Sequence, residues 1–315
     1  MSEISSEYKV VRANEDNIHL LAWMFKDSKG VDISLDYLKK KFNSAYAGCT
    51  YLGHFAIDNT DKPAAFFCLH PCFIQINGEV FKAAQGGDII THHNHQRKGL
   101  FGMLGRITEQ VAIEEGVTQL FGFPNENSYP GFVRTLGWQP AGKLINFSQK
   151  VKAFPLRRLL FKLRLPFLYS FYVKILTGGR LIKPEDFIGS VPAVSGNSSY
   201  RNSDFYKYKV SYNSSFFLAY GGLKLWLKID GALRVGDITP DETVSPSALI
   251  DILRKLTRKL GLEEFTFRVS EGSFWHSKLK GLLQEDDGIS IIYSNLNNKD
   301  QCVFLEFTAG DADVF

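Results

Sequence analysis

The sequence predicts an α/β (α+β) protein built as two mixed-sheet domains with flanking helices. Three observations carry this. Short β-branched runs such as Asp88-Ile89-Ile90-Thr91 alternate with stretches whose apolar residues recur every three to four positions, as at Leu100, Leu104, Ile107 and Val111. The chain has 315 residues, 44% hydrophobic, 14% aromatic and 22% charged, enough to bury two cores without disulfide staples. The order of elements in the first half returns, faded, in the last third.

Tyr8 to Arg12 reads as a first strand. Asn14 or Asp16 is a capping residue for a helix carrying Ile18, Leu21, Ala22 and Phe25, and Gly30 ends it. A second helix runs from Ser34 to Phe42. Tyr51 to Ile57, a turn at residues 58–61 and Ala64 to His70 read as strands, and Phe73 to Ile76 pairs through Asn77-Gly78 with Val80 to Ala84 as a further hairpin. Gly86-Gly87 leads into a central strand, Asp88 to Thr91. A polar loop follows, with Gln96, Arg97, Lys98 and Gly99. A helix from Leu100 to Glu115, a strand from Gln119 to Phe123, the polar run Pro124 to Ser128, a short helix and Leu136-Gly137-Trp138 complete the first half.

The loop sits at a helix N-terminus, where free main-chain N–H groups, a glycine that permits close approach and two cations form an anion seat, most naturally for phosphate. A dinucleotide-binding glycine triplet directly after a strand is absent. The hexapeptide Gln96-Arg97-Lys98-Gly99-Leu100-Phe101, set in this order of elements over residues 8 to 148, resembles the GNAT superfamily of acyl-CoA-dependent N-acyltransferases. The last position departs from that pattern, since Phe101 stands for a small residue, with Gly102 next to it to relieve crowding. The resemblance implies an acyl-CoA co-substrate held by Ile90, Thr91, Gln96, Arg97, Lys98, Gly99, Leu100, Phe101 and Gly102, with Asn125 or Asn127 bonding the pantetheine arm or capping a helix. No metal is implied.

Acyl transfer from a thioester needs a placed amine, a donor for the developing oxyanion and a route for the amine proton. By the resemblance, main chain near Ile90 and Thr91 polarises the carbonyl. The places where relatives carry a base are Gln85 and Gly87 here, and neither can serve. Asp88 and His92, with His93 and His95 following, are the nearest titratable groups and become candidates if the strand bulges. The place of a family tyrosine is Val133, with Tyr129 the nearest phenol, so transfer by orientation with water taking the proton is the expected mode.

Domain boundaries are expected at 1–150 for the acyl-CoA-binding catalytic domain, 151–185 for a connector and 186–315 for a degenerate GNAT-like domain without a CoA loop. From Lys143 to Lys183 there are ten basic and no acidic residues, interleaved with large apolar side chains. Such a stretch lies on an anionic membrane or forms a connecting helix pair; Pro155 and Pro166 favour the pair over one long surface helix. In the last third, Arg234-Val235-Gly236-Asp237-Ile238-Thr239 echoes the central strand. Ser245-Pro246 opens a helix with Leu249, Leu253, Leu256 and Leu260 on one face, and Leu223 to Ile229 reads as a strand with one polar face. The carboxylates of Asp311 and Asp313 belong either to a sugar site or to a solvated tail.

The resemblance extends to bacterial two-domain N-acyltransferases that modify nucleotide-linked (dTDP-type) deoxyamino sugars for surface polysaccharide, with acetyl or a short hydroxyacyl group such as 3-hydroxybutanoyl as cargo. Alternatives are aminoglycoside acetylation, peptidoglycan-bridge aminoacyl transfer and a non-catalytic CoA-sensing or membrane-surface protein touching a bilayer through 154–176. A net charge of +4 argues against wholesale nucleic-acid binding. Residues Met1 to Glu7 lack a basic-then-apolar leader, which predicts a cytoplasmic protein, and Cys49, Cys68, Cys72 and Cys302 suit buried reduced thiols.

Overall fold

Strand β1 (Lys9–Arg12) pairs antiparallel with β2 (Gly53–Ile57), and helices α1 (His19–Lys29) and α2 (Leu35–Phe42) lie between them in the chain. This computed structural model describes residues 7–191, 196–298 and 301–312, so Met1 to Ser6, part of the stretch read as lacking a leader, lies outside the described residues. Asn14 does not cap α1. Its Oδ1 accepts from the N–H groups of Asp16 and Asn17, which closes the preceding turn and delays the helix to His19. Ser34 Oγ accepts from Tyr37 N–H and starts α2 as expected.

The two short hairpins of the sequence reading merge into two long strands, β3 (Pro63–Ile76) and β4 (Glu79–Thr91). Gly86-Gly87 looks like a break because glycine is a poor strand former. Packing is the reason for Gly86: a Cβ there would lie 3.1 Å from Phe132 and 3.3 Å from Trp138. Further on, Phe66 opposes Ile90 while Cys68 opposes Gly87, so β4 carries one extra residue and Asp88 sits at φ +48°. The central strand bulges there.

Helix α3 (Leu100–Glu114) leads to β5 (Gln119–Gly122), which runs parallel to β4 from Ala83–Gln119 to Gly86–Gly122, where the register ends. A π-helical turn at Gly131–Leu136 and Gly137 at φ +77° follow. They deliver Trp138 to the core, where its Nε1 donates to Glu109 Oε1 over 2.7 Å.

After β6 (Gln139–Lys150) come α4 (Leu156–Lys162), α5 (Pro166–Thr177), α6 (Ser203–Asn213), β7 (Phe216–Tyr220), β8 (Leu223–Asp230) and β9 (Ala232–Ile238). The order ends with α7 (Pro246–Lys259), β10 (Glu264–Ser270), α8 (Phe274–Leu279) and β11 (Ile289–Asn295). The chain divides into two units, one of Met1–Gly142 with Ser290–Phe304 and the other of Lys143–Ile289 with Leu305–Phe315. This division differs from the expected boundaries: the connector helices fall in the second unit, and residues 290–304 complete the first.

In the first unit the strand order is β1-β2-β3-β4-β5-β11, antiparallel except for β4 with β5. In the second it is β7-β8-β9-β10-β6, antiparallel except for β9 with β10, again across a helix. The helix between them, α7, is capped by Ser245 and buries Leu249, Leu253, Leu256 and Leu260. β9 bulges at Gly236, between Val235 and Asp237, so the echo of the central strand extends to its irregularity.

Two sequence expectations for this unit are corrected. The polar face of β8 is covered only at its middle: Lys224 is exposed and Lys228 half-buried, but Trp226 between them is wholly buried beneath Phe205, Tyr206 and Phe217. Asp311 is neither a solvated tail nor open to a sugar. It is buried and bonded to Arg201, which also pairs with Asp237. Asp313 lies outside the described residues.

Candidate active site

In the first unit, the end of β4, the loop from His92 to Gly99, the first turn of α3 and the segment from Asn125 to Thr135 enclose a cleft of about 940 Å³. Residues 96–99 are exposed along its rim, and Arg97 and Gly99 both take left-handed backbone, at φ +63° and +73°. Gly99 stands at the N-cap of α3 with no side-chain cap. Among the described residues, the N–H groups of Arg97 through Gly102 donate to no protein acceptor. Successive free amides turned by left-handed residues at the positive end of a fifteen-residue helix have the geometry that suits an anion.

Ile90, Thr91, Gln96, Arg97, Gly99, Leu100, Phe101, Gly102, Asn125 and Asn127 all line this cleft. Lys98 does not; its ammonium turns to the ring of Tyr8, 5.7 Å from the centroid, and to Glu7. The side chain of Leu100 is buried in the core, so only its main chain faces a ligand. Room for Phe101 comes from Gly131 rather than Gly102: a Cβ at Gly131 would lie 2.8 Å from the Phe101 ring, while Gly102 faces Thr135 and Arg106. Asn125 Oδ1 accepts from the N–H groups of Asn127 and Ser128 and so holds the turn. The side-chain amide of Asn127, which lines the cleft, has no protein partner among the described residues.

Asp88 and His92 stand outside the cleft lining. Asp88 is held by Lys41 Nζ at 2.6 Å and His70 Nε2 at 3.0 Å. Burial alone would raise its pKa, but the Lys41 ammonium and the His70 hydrogen bond hold the carboxyl well below its usual range. A carboxylate so held is a poor proton acceptor. His92 donates from Nε2 to Asp27 at 2.7 Å, while its Nδ1 accepts from Asn94 N–H, so both ring nitrogens are engaged. Its ring stacks on Trp23, with centroids 5.9 Å apart. His95 does line the cleft; Tyr8 OH lies 2.9 Å from Nδ1, and burial lowers the pKa against the opposing pull of Asp58. The phenol of Tyr129 belongs to a ring packed against the core.

Cys68 and His70 flank the same carboxylate, with Cys68 Sγ 3.0 Å from Gly87 O. The ammonium of Lys41 already supplies the cation for this group. All four cysteines are free, and Cys302 is exposed rather than buried.

Lys29, Lys41 and Arg106 were missed by sequence reasoning. Lys41 lies one turn after Leu38 and beside Phe42, on the apolar stripe of α2; a cation placed there is the signal of a buried partner. Arg106 stands four residues after Gly102 on the same helix face and reaches the cleft.

Residues 13–141 match the family model of the acetyltransferase (GNAT) domain. The first unit therefore carries a GNAT acetyltransferase domain, the domain of an acyltransferase. Its fold is shared with a GCN5-related N-acetyltransferase from Kribbella flavida at 14% identity, covering 92% of this chain and 72% of that one with a TM-score of 0.58. A GCN5-related N-acetyltransferase from Anabaena variabilis is similar at 12% identity, with 92% and 73% covered and a TM-score of 0.54. Saccharomyces cerevisiae N-myristoyltransferase with bound myristoyl-CoA is similar at 8% identity, with 91% and 82% covered and a TM-score of 0.54. No curated protein sequence matches the chain. Among the described residues, no helix is long and apolar enough to cross a membrane.

Proposed function

We propose that the first unit binds acyl-CoA with its pyrophosphate on the amides of Arg97 to Gly102, and transfers the acyl group to the primary amine of an amino sugar carried on a nucleotide. The observation that carries the acyl-CoA part is the unbroken run of free N–H groups from Arg97 to Gly102, turned by the left-handed Arg97 and Gly99 and opening into a cleft lined by the end of the bulged strand. The amine nitrogen attacks the thioester carbonyl carbon in a ternary complex, the C–S bond breaks, and the thiolate leaves with a proton.

Orientation supplies most of the catalysis in this reading, with main chain at Ile90 and Thr91 polarising the carbonyl and water taking the amine proton. Asp88 fixes the bulge through Lys41 and His70 instead of abstracting a proton. For the acceptor, the resemblance to two-domain amino-sugar N-acyltransferases is supported by the similar strand orders of the two units. It is also supported by Trp23, 38% exposed and stacked on His92 one residue beyond the cleft-lining Thr91, which offers a ring face to a nucleobase.

Titration calorimetry with acetyl-CoA and 3-hydroxybutanoyl-CoA, followed by CoA-thiol release with dTDP-amino sugars, aminoglycosides and simple amines, tests both halves. Gly99→Val forces a β-branched residue to φ +73° and closes the approach to the amides. It is expected to weaken acyl-CoA binding by about a hundredfold, the loss of two hydrogen bonds to a charged group. Indifference of the wild-type protein to every CoA ester overturns the proposal, while turnover with aminoglycosides alone moves the acceptor to the alternative.

A further inference from the structure

We propose that the outer face of α4 and α5 seats the protein on the surface of an anionic lipid bilayer. Seventeen large apolar side chains are exposed among the described residues, and eight of them fall between Phe154 and Ile175. Scattered singly they would need no explanation, but clustering on adjacent short helices does. On α5, Phe167, Phe171 and Ile175 follow one another at four-residue spacing, 63%, 63% and 67% exposed, so they form one stripe facing outward.

The opposite face is fixed. Tyr169 is buried and its phenol donates to Leu260 O over 2.9 Å, Tyr172 donates to Lys259 O, and Leu156, Leu160, Val173 and Leu176 pack on the core of the second unit. The stripe is therefore presented by a rigid helix.

Charge decides what covers it. Arg157, Arg158, Lys162, Arg164 and Lys174 lie on or between α4 and α5, and residues 154–177 hold no acid. A second copy would bring the same cationic surface face to face with itself, an arrangement that like-charge repulsion disfavours. A bilayer carrying anionic headgroups offers an apolar layer for the rings and phosphates for the lysines and arginines together. With twelve residues, α5 extends about 18 Å against a hydrocarbon core of about 30 Å. The helix lies in the interface and does not span it. Arg157, whose guanidinium sits 4.2 Å from the centroid of the Phe161 ring, has the pairing of cation and aromatic suited to headgroup depth.

The experiment is flotation of the full chain with vesicles of 70% phosphatidylcholine and 30% phosphatidylglycerol, against pure phosphatidylcholine, at low and high salt. Partition is expected on the anionic vesicles, reduced by salt and reduced about tenfold or more in Phe167→Ser/Phe171→Ser/Ile175→Ser, whose sites are solvent-facing. Lys162→Glu/Lys174→Glu is expected to lose the anionic preference while keeping a normal melting curve. Acetyl-CoA binding, read separately by calorimetry, is expected unchanged in both variants, so failure here is distinguishable from failure of the functional reading. Absence of partition, partition that the triple variant leaves intact, or a dimer in sedimentation that the triple variant dissolves overturns the proposal.

Discussion

Two carboxylates, the half-buried Asp88 and the buried Asp237, each at the bulge of a central strand, pair with a buried cation supplied from an earlier segment of the chain. Asp88 takes Lys41, 1% exposed, and Asp237 takes Arg201, 8% exposed, which also holds Asp311. Removing one member leaves an uncompensated charge in a dry site, which costs about 3–5 kcal/mol, whereas removing both costs far less. Lys41→Met is thus expected to lower the urea midpoint strongly, and Lys41→Met/Asp88→Asn to recover most of the loss. The same variants test the functional reading: if Asp88 only fixes the bulge, the double variant keeps most of its turnover. The sign of the pH effect follows as well. The pKa of Asp88 is depressed in the folded state, so its contribution is present above the ordinary carboxylate range and fades as pH falls below it. At this scale the pairing was not legible, because Lys41 and Asp88 are 47 positions apart and nothing in either local pattern names the other.

Between elements, a buried polar contact ties β2 to α3. His54 lies 5% exposed, its Nδ1 donating over 2.9 Å to Thr108 Oγ1, which itself donates to Leu104 O in the helix. Burial, helped by the positive charge of Arg12, lowers the His54 pKa to about 4. The unfolded chain takes up its proton near pH 6.5 and the folded one only near 4. Stability is accordingly full above pH 6.5 and lost as pH falls between those values, by roughly 3 kcal/mol. His54→Gln is expected to flatten that part of the stability profile, measured by urea titration from pH 7 to pH 4. Element types were readable from apolar spacing and from caps, as the Ser34 and Ser245 hydroxyls show. Element lengths were less so. β3 and β4 read as fragments because Pro71 and Gly86-Gly87 look like punctuation until Phe132 and Trp138 are seen to pack against the glycine.

In the whole molecule, neither unit is a contiguous stretch of sequence. β11 returns to the first unit and pairs with β5 through Ile292–Gly122 and Tyr293–Phe121, and residues 305–312 bring Asp311 to Arg201 in the second. A fragment of residues 1–150 would leave β5 with an open edge and uncover Phe121 and Leu120. It is expected to melt at least 10 °C below the full chain or to aggregate, at about 4–8 °C for each kcal/mol lost in a small domain, and to bind acetyl-CoA poorly. Scanning calorimetry of the fragment against the full chain checks this; equal melting temperatures would show that β11 is dispensable.

The sequence by itself determined most element types, the turn from strand to helix at Gly99 and the row of free helix-terminal amides there, because apolar periodicity, glycine and helix ends act over a few residues. Only the tertiary structure decided which cation neutralises which carboxylate, that Lys98 turns away from the cleft, that Gly131 makes room for Phe101, and which strand completes each sheet. Those outcomes depend on contacts between residues far apart in the chain, where burial sets the strength of a charge pair and shape decides which side chain fits.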